Sequence, residues 1–299
     1  MKKIQSLIIK TIYSSSINWL LRPISLIIFK LFKKRILSVS GKLNLTLKGK
    51  KISLLTNQTC CVTNALYYES AINYEFTPIF IELIQSSKVF YDIGANIGYF
   101  SIVAKKFNPD VQVIAFEPNN GVFSYLEKNI QLNETDIHAV RAAVSDQVGQ
   151  LEFYSVVNPK YPWIKENLSG SHSLQNEYGI LKAESYNVAV TTLIKTTDNF
   201  NIDAVDLMKL DTECTEHIIL LSSIDFIIKH QPIIICEVYH MIMKDMIAVM
   251  DQLIGFKTFQ CYGEYLKEVE LSAISDSDPE RNFFFCPASK IDRIKQFIR

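Results

Sequence analysis

From residue 89 onward, short apolar runs alternate with segments of helical spacing. Runs at 89–91, 111–116 and 137–143 read as strands, with helical patterns at 99–107 and 121–132 between them. A helix at 77–85 precedes the first, with Thr77 placed to cap it and Pro78 in its first turn. Residues 151–156 alternate and predict a hairpin strand at the sheet edge. A strand at 188–193, a buried strand at 205–210, a helix at 217–230 and a strand at 233–238 opened by Pro232 follow. A helix then runs to about 254, and strands at 256–261 and 283–286 close the pattern, the second read as antiparallel. The alternation predicts an α/β fold: a doubly wound, mostly parallel sheet with an antiparallel edge strand.

The first seventy residues have a different rhythm. Residues 4–32 are rich in Ile, Leu, Phe and Trp but are interrupted by Lys10, Arg22, Pro23 and Lys30. No uncharged run approaches the ~18–20 residues of a spanning helix, and the small-residue cleavage site of a signal peptide is missing. The pattern predicts one or two basic amphipathic helices broken near Pro23, lying on an anionic membrane or packed on the rest of the chain. Leu43, Leu45 and Leu47 alternate with polar residues, Lys48-Gly49-Lys50 makes a turn, and 52–55 returns: a β-hairpin, with Cys60-Cys61 at a strand end. The expected organisation is a helical extension at 1–37, a hairpin accessory segment at 38–70 and the main α/β domain at 71–299. Residues 157–187 form a long connection, either a binding loop or an insertion, in which Trp163 and His172 are candidates to contact a substrate.

Composition is ordinary for a globular chain, 48% hydrophobic and 21% charged. Charge is not evenly spread. Residues 1–68 hold twelve Lys or Arg and no Asp or Glu, although the net charge of the chain is zero. An anionic partner for the N-terminal part follows. The six cysteines show no CxxC pair and no disulfide-type spacing, which points to a reducing cytoplasm, with any membrane contact peripheral and on its inner face.

The chemistry centres on residues 89–101, Val-Phe-Tyr-Asp-Ile-Gly-Ala-Asn-Ile-Gly-Tyr-Phe-Ser: a buried strand, a turn lined by Asp92, Gly94, Asn96 and Gly98, and a helix start. In a doubly wound sheet such a turn lies where ligands bind. The next strand ends in Glu117-Pro118, and Glu117 follows Gly98 by 19 residues, the placement that receives ribose hydroxyls. A dinucleotide would call for glycine where Asn96 stands, to bring backbone against pyrophosphate. A ribose-bearing ligand with a cationic part and no pyrophosphate fits better, and S-adenosylmethionine is such a ligand. Dinucleotide binding, and a turn whose glycines serve packing alone, stay open on the residues. Ser145 and Asp146, after the third strand, are positional candidates for contact with adenine.

Asp-Ile-Gly-Ala-Asn-Ile-Gly at 92–98, Phe-Glu-Pro at 116–118, Lys-Leu-Asp-Thr-Glu-Cys-Thr-Glu at 209–216 and Ile-Ile-Ile-Cys-Glu at 233–237 together resemble the FkbM-type methyltransferases, a branch of the class I adenosylmethionine-dependent enzymes. The resemblance covers about 75–240. It implies a Rossmann-like methyltransferase domain, adenosylmethionine as cofactor and a sugar hydroxyl or similar small-molecule acceptor. The family usually carries Gly where Cys214 stands. If that position takes a positive φ, Cys strains the turn by about 1 kcal/mol.

Asp211 and Glu213 end one strand, and Glu237 and His240 end the next. Asp211 is the candidate to orient the acceptor or take its proton, with Glu237 and His240 as alternatives, or the acids form a turn and cap cluster. The carboxylates are also of the type that holds Mg2+, while no zinc spacing occurs. The expected activity is O-methylation of a sugar, a glycan or surface-polysaccharide precursor, or a similar molecule, on a membrane-borne acceptor if the basic helices bind lipid. A scaffold protein that keeps the fold and a nicotinamide-dependent oxidoreductase are the rivals. Nucleic acid is not an expected partner, because the basic residues cluster outside the main domain and no motif for a flipped base occurs.

Overall fold

The computed structural model describes residues 2–158, 160–170, 174 and 183–299. Helices α1 (Lys2–Ile12) and α2 (Ser15–Phe32) open the chain. A hairpin of β1 (Gly41–Leu47) and β2 (Lys50–Thr56) follows, then α3 (Cys61–Tyr68). Next come α4 (Thr77–Gln85), β3 (Val89–Ile93), α5 (Tyr99–Phe107), β4 (Gln112–Phe116), α6 (Asn120–Leu132) and β5 (His138–Val140). The chain continues through β6 (Ala143–Val144), β7 (Gly149–Val156), β8 (Ala183–Thr191), α7 (Leu193–Asn199), β9 (Leu207–Leu210), α8 (Glu216–Leu221), α9 (Ile224–His230) and β10 (Ile233–Glu237). It ends with α10 (Met243–Gln252), β11 (Phe256–Tyr262), β12 (Tyr265–Glu268) and β13 (Asn282–Pro287).

Among the described residues eight strands form the main sheet, in the order β12-β11-β13-β10-β9-β3-β4-β5. Pairing is parallel from β5 to β10, and β13 runs antiparallel to both β10 and β11. The antiparallel strand at the edge is β12, a short strand that the hydrophobic pattern did not mark; β13 lies inside the sheet. Alternation along the strands feeds two cores. Phe90, Val113, Ala115 and Ile235 join the cluster that includes α4 and α5, while Tyr91, Ile114, Phe116 and Ile234 join the cluster that includes α8 to α10. This is the two-faced burial that a doubly wound sheet requires.

The hairpin belongs to the first of those cores through Leu43, Leu47, Ile52 and Leu54. Two asparagines one helical turn apart, Asn129 on α6 and Asn133 at its C-terminal cap, complete β2. Asn129 accepts from Leu55 N at 2.6 Å and donates to Leu55 O at 3.2 Å. Asn133 does the same with Ser53, at 3.0 and 2.6 Å. Their amides stand in for a neighbouring strand and satisfy backbone groups that would otherwise be a free edge.

Several local expectations are corrected. The run at 137–143 divides: β5 ends at Val140, and β6 leaves for a second, three-stranded sheet in the order β6-β8-β7. The strand at 151–156 therefore pairs with β8 rather than with the main sheet, because Ala143, Phe153, Val188 and Val190 form a small core of their own. The helix at 217–230 breaks at Ser222-Ser223, where Ser222 Oγ takes the Ile219 carbonyl at 3.0 Å. The N-terminal break falls not at Pro23, which lies exposed inside α2, but at Tyr13-Ser14, where Ser14 Oγ takes the Thr11 carbonyl at 2.7 Å. Thr77 does not cap α4; its hydroxyl meets Tyr99 Oη at 3.2 Å. Cys60 and Cys61 begin α3 rather than end a strand.

Candidate active site

Strand register builds the site. Ile93 lies level with Phe116 on one side and Leu210 on the other, and Leu210 lies level with Cys236. The residues that follow these four are Gly94, Glu117, Asp211 and Glu237, so four adjacent strands deliver them in one row at their carboxyl ends. The row falls at the switch point, where the chain leaves β3 for β4 on one side and β9 lies on the other. Above it opens a cleft of about 350 Å3, within the usual size range of small-molecule sites.

The turn after β3 is shaped by tight contacts. Gly94 (φ +77) and Ala95 both donate backbone N–H to Phe116 O, at 3.0 and 2.9 Å. A Cβ on Gly94 would lie 1.9 Å from the Asp211 carbonyl oxygen, so this glycine lets the β3 and β9 turns touch. Asn96 takes a positive φ of 51° and donates its N–H to Glu117 Oε2 at 3.1 Å, while its own Oδ1 accepts from Ile97 N. Gly98 (φ +91) does not line the cleft. It starts α5 under Leu126, whose Cδ1 a Cβ would meet at 2.6 Å, so it is a packing glycine. Asp92 is also beneath the cleft, buried, accepting from Ser101 Oγ at 2.5 Å. Burial raises its pKa, and Lys209 works against that.

Lys209 is the centre of the charge arrangement. It sits opposite Asp92 in the β3–β9 register, and its buried ammonium lies 3.6 Å from Asp92, 3.3 Å from Asp211 and 3.1 Å from the Gly94 carbonyl. Burial works to lower its pKa, but the carboxylates of Asp211, Asp92 and Glu75 outweigh this and hold it above the ordinary lysine value. Around it, among the described residues, the cleft is lined by five acids: Glu75, Glu117, Asp211, Glu213 and Glu237. Glu117 keeps each carboxylate oxygen on a backbone N–H, Asn96 at 3.1 Å and Asn119 at 2.9 Å, yet burial raises its pKa to about 7. Glu75, on the turn before α4, is also raised to about 7 by burial and then by Asp211. Glu237 is pushed well above the carboxylate range by burial, by Asp211 and Glu213, and by its hydrogen bond with Asp211.

The turn after β9 carries two left-handed residues in succession, Glu213 (φ 57°) and Cys214 (φ 78°). The position where the family usually has glycine therefore does need positive φ, and Cys214 adopts it, fully buried, with Sγ 3.4 Å from Met241 Sδ. Glu213 accepts from Tyr239 Oη at 3.2 Å. Among the described residues no side chain caps α8; Glu216, its first residue, instead closes the turn by accepting from Thr212 N and Oγ1 at 2.5 and 2.9 Å, while Asp211 and Glu213 line the cleft.

Of the residues expected in the site, Gly94, Asn96, Glu117, Pro118, Asp211, Glu213 and Glu237 line the cleft. His240 does not: the 3-10 turn His240–Ile242 carries its ring away, with Nε2 3.2 Å from Asp278 O. Ser145 and Asp146 are drawn off by the second sheet, Ser145 N donating to Thr191 O at 2.9 Å, and the wall at this point is Ala142, Ala143 and Val144. Trp163 packs on Tyr161 and under Lys10 instead of lining the cleft. His172 lies outside the described residues. Glu75, Lys209, Tyr74 and Tyr239 also line the cleft, and none of them is a site residue expected from the sequence. Lys209 alone was accessible in the sequence, as a charge inside an apolar strand. Among the described residues no group of three or more His, Cys, Asp or Glu side chains has metal-holding geometry.

The strand order, the reversed strand next to β10 and a cleft at the switch point define a class I, Rossmann-like methyltransferase fold. Residues 92–260, more than half of the chain, match the methyltransferase FkbM domain, and the chain belongs to that family. It is 28% identical over 155 residues to the 31-O-demethyl-FK506 methyltransferase FkbM of Streptomyces tacrolimicus, covering 46% of this chain and 60% of that protein. It is 33% identical over 70 residues to methyltransferase sdnD of Sordaria araneosa, covering 23% of this chain and 27% of that protein. The chain thus spans less than two thirds of the length of these relatives. The crystal structure of methyltransferase FkbM from Methylobacillus flagellatus KT superposes with a TM-score of 0.45 and 13% identity, over 74% of this chain and 52% of that one.

Proposed function

We propose that this chain is an S-adenosylmethionine-dependent O-methyltransferase acting on a hydroxyl of a sugar, a glycan or surface-polysaccharide precursor, or a similar small molecule, in the cytoplasm and peripherally held at a membrane. The observation that carries the reading is the acidity of the cleft: among the described residues five acids and one lysine line it, and burial resists the ionisation of Glu75, Glu117 and Glu237. A cationic ligand relieves that cost, and a sulfonium is such a ligand. The O-demethyl substrate in the name of the Streptomyces tacrolimicus relative supports an oxygen acceptor.

Adenosylmethionine supplies a methyl group already activated on positive sulfur. The residues present fit it. Glu117 has lone pairs left, beyond its two backbone donors, to accept from the two ribose hydroxyls. Phe116, Ala143, Val144 and Phe153 offer an apolar wall for a planar base. Asp211, oriented by Lys209, takes the proton of the acceptor hydroxyl; Glu237, held protonated beside it, donates to it and fixes its position. The test is Asp211→Asn. Turnover is expected to fall about 100-fold or more, while affinity for S-adenosylhomocysteine, which lacks the sulfonium charge, stays within a few-fold. An unchanged rate would remove Asp211 from this role.

A further inference from the structure

Helix α2 is inside out. Asn18, Arg22 and Ser25 are its buried residues, and they face the protein. Leu20, Ile24, Ile27 and Leu31, at the spacing of one helical stripe, point the other way and are 56–70% exposed. Trp19 and Phe32 flank the stripe, 63% and 72% exposed, and Leu7 on α1 is 66% exposed. The polar side is fully engaged. Asn18 donates to Ser38 O at 3.0 Å and accepts from Ser40 N at 2.8 Å. Arg22 donates to Asn18 Oδ1 and Lys42 O, each at 2.8 Å, and to Ser40 O, and Ser25 Oγ meets Tyr68 Oη at 2.5 Å. The polar stripe therefore serves as the adhesive to the domain, and the apolar stripe is left over.

We infer that α1 and α2 form an in-plane anchor on an anionic lipid bilayer, with the Leu20–Ile24–Ile27–Leu31 stripe sunk among the acyl chains. This deepens the membrane-held reading above. Charge selects the occupant. Lys10, Lys30, Lys33 and Lys34 are exposed around the stripe, and the first acid of the chain, Glu69, is already paired with Arg35. A second copy would set this acid-free, lysine-rich segment against its own like, whereas an anionic surface satisfies stripe and lysines together. Among the described residues α2 is the one helix long and apolar enough to cross a membrane. Its 18 residues reach only about 27 Å, and crossing would tear Asn18 and Arg22 from their carbonyls. The anchor also reaches the active site. Lys10 lies over the Trp163 ring at 5.5 Å and Tyr13 Oη meets Tyr161 Oη at 3.3 Å. The same loop runs on to Gly170 at the cleft wall, next to Glu213. The cleft rim is thereby tied to the lipid surface, the position that a lipid-borne acceptor requires.

The experiment is flotation of the full chain with vesicles of phosphatidylcholine alone or with one quarter phosphatidylglycerol. The variants are Ile24→Glu/Ile27→Glu, both solvent-exposed, and Lys30→Glu/Lys34→Glu. Wild type is expected to bind the anionic vesicles at least tenfold more tightly than the neutral ones, and to be released by alkaline carbonate. Each double variant should lose at least tenfold while keeping its melting temperature and its affinity for S-adenosylhomocysteine. Equal binding by variants and wild type, or none by wild type, overturns the anchor. Retention after carbonate overturns the in-plane placement. A dimer in solution that Ile24→Glu/Ile27→Glu separates, without vesicle binding, gives the stripe to a second copy. The S-adenosylhomocysteine titration keeps these outcomes separate from failure of the methyltransferase reading.

Discussion

Replacing Gly94 with alanine tests the contact on which the site geometry depends. Two costs are separable. A side chain at φ +77 is strained by about 1–2 kcal/mol. The new Cβ also starts 1.9 Å from Asp211 O, so the β9 turn must retreat by about 1.5 Å to reach ordinary contact distance. That retreat breaks or stretches two bonds, Asp211 N to Ile93 O at 3.1 Å and Lys209 Nζ to the Gly94 carbonyl at 3.1 Å. Together they contribute about 2–4 kcal/mol, the second being charge-assisted. Gly49→Ala is the matched control: its φ is +80 and nothing lies within 4 Å of the added carbon, so it bears the strain alone. Thermal melting should place Gly94→Ala about 2 kcal/mol or more below Gly49→Ala, roughly 4–8 °C in melting temperature. Its affinity for S-adenosylhomocysteine should fall as the turn that sets Asn96 N–H against Glu117 shifts. If the two variants melt together and bind alike, the close approach of the β3 and β9 turns does not hold the site.

Other outcomes follow from the same structure. Asn129→Ala removes a buried amide that bonds Leu55 twice and Ile97 O at 2.9 Å, and should lower stability by about 2–4 kcal/mol in denaturant titration. Glu117 has a folded pKa raised to about 7, so its protonated form is favoured by folding. Its contribution to stability is full below about 4.5 and is lost as pH rises through 7. Ribose hydroxyls need the carboxylate, so affinity for S-adenosylhomocysteine should weaken up to about tenfold from pH 8 to pH 6, and Glu117→Gln should flatten that slope. Cys214→Gly relieves left-handed strain of about 1 kcal/mol but empties a buried thiol site. A net change in melting within about 3 °C, with cofactor affinity kept, is expected; a loss of binding would show that the thiol itself supports the site.

What could be read from the chain was what is local. The turn at 92–98 and Glu117 announce themselves because strand, glycine and acid are sequence neighbours at fixed offsets. Asp211 and Glu237 were legible for the same reason, as acids ending apolar strands. Lys209 stands out in the chain as a charge inside an apolar strand, but its partner Asp92 faces it only once β3 and β9 pair, and Glu75, on a turn before α4, has no local signal at all. Gly98 looked like a ligand-facing glycine, but its neighbour is Leu126, 28 residues on in the chain. Ser145, Asp146 and Trp163 were placed by proximity in sequence and are held elsewhere by a second sheet and by α1. The reversal of α2 could not be read from its amphipathic pattern, which marks two faces without saying which one meets the protein.

Calorimetric titration of the purified chain with S-adenosylmethionine, S-adenosylhomocysteine and NAD, beside Glu117→Ala, decides whether the cleft holds an adenosyl cofactor. Micromolar binding of both adenosyl ligands is expected, with loss of that binding in Glu117→Ala and no binding of NAD. A folded wild type that binds neither adenosyl ligand would contradict it.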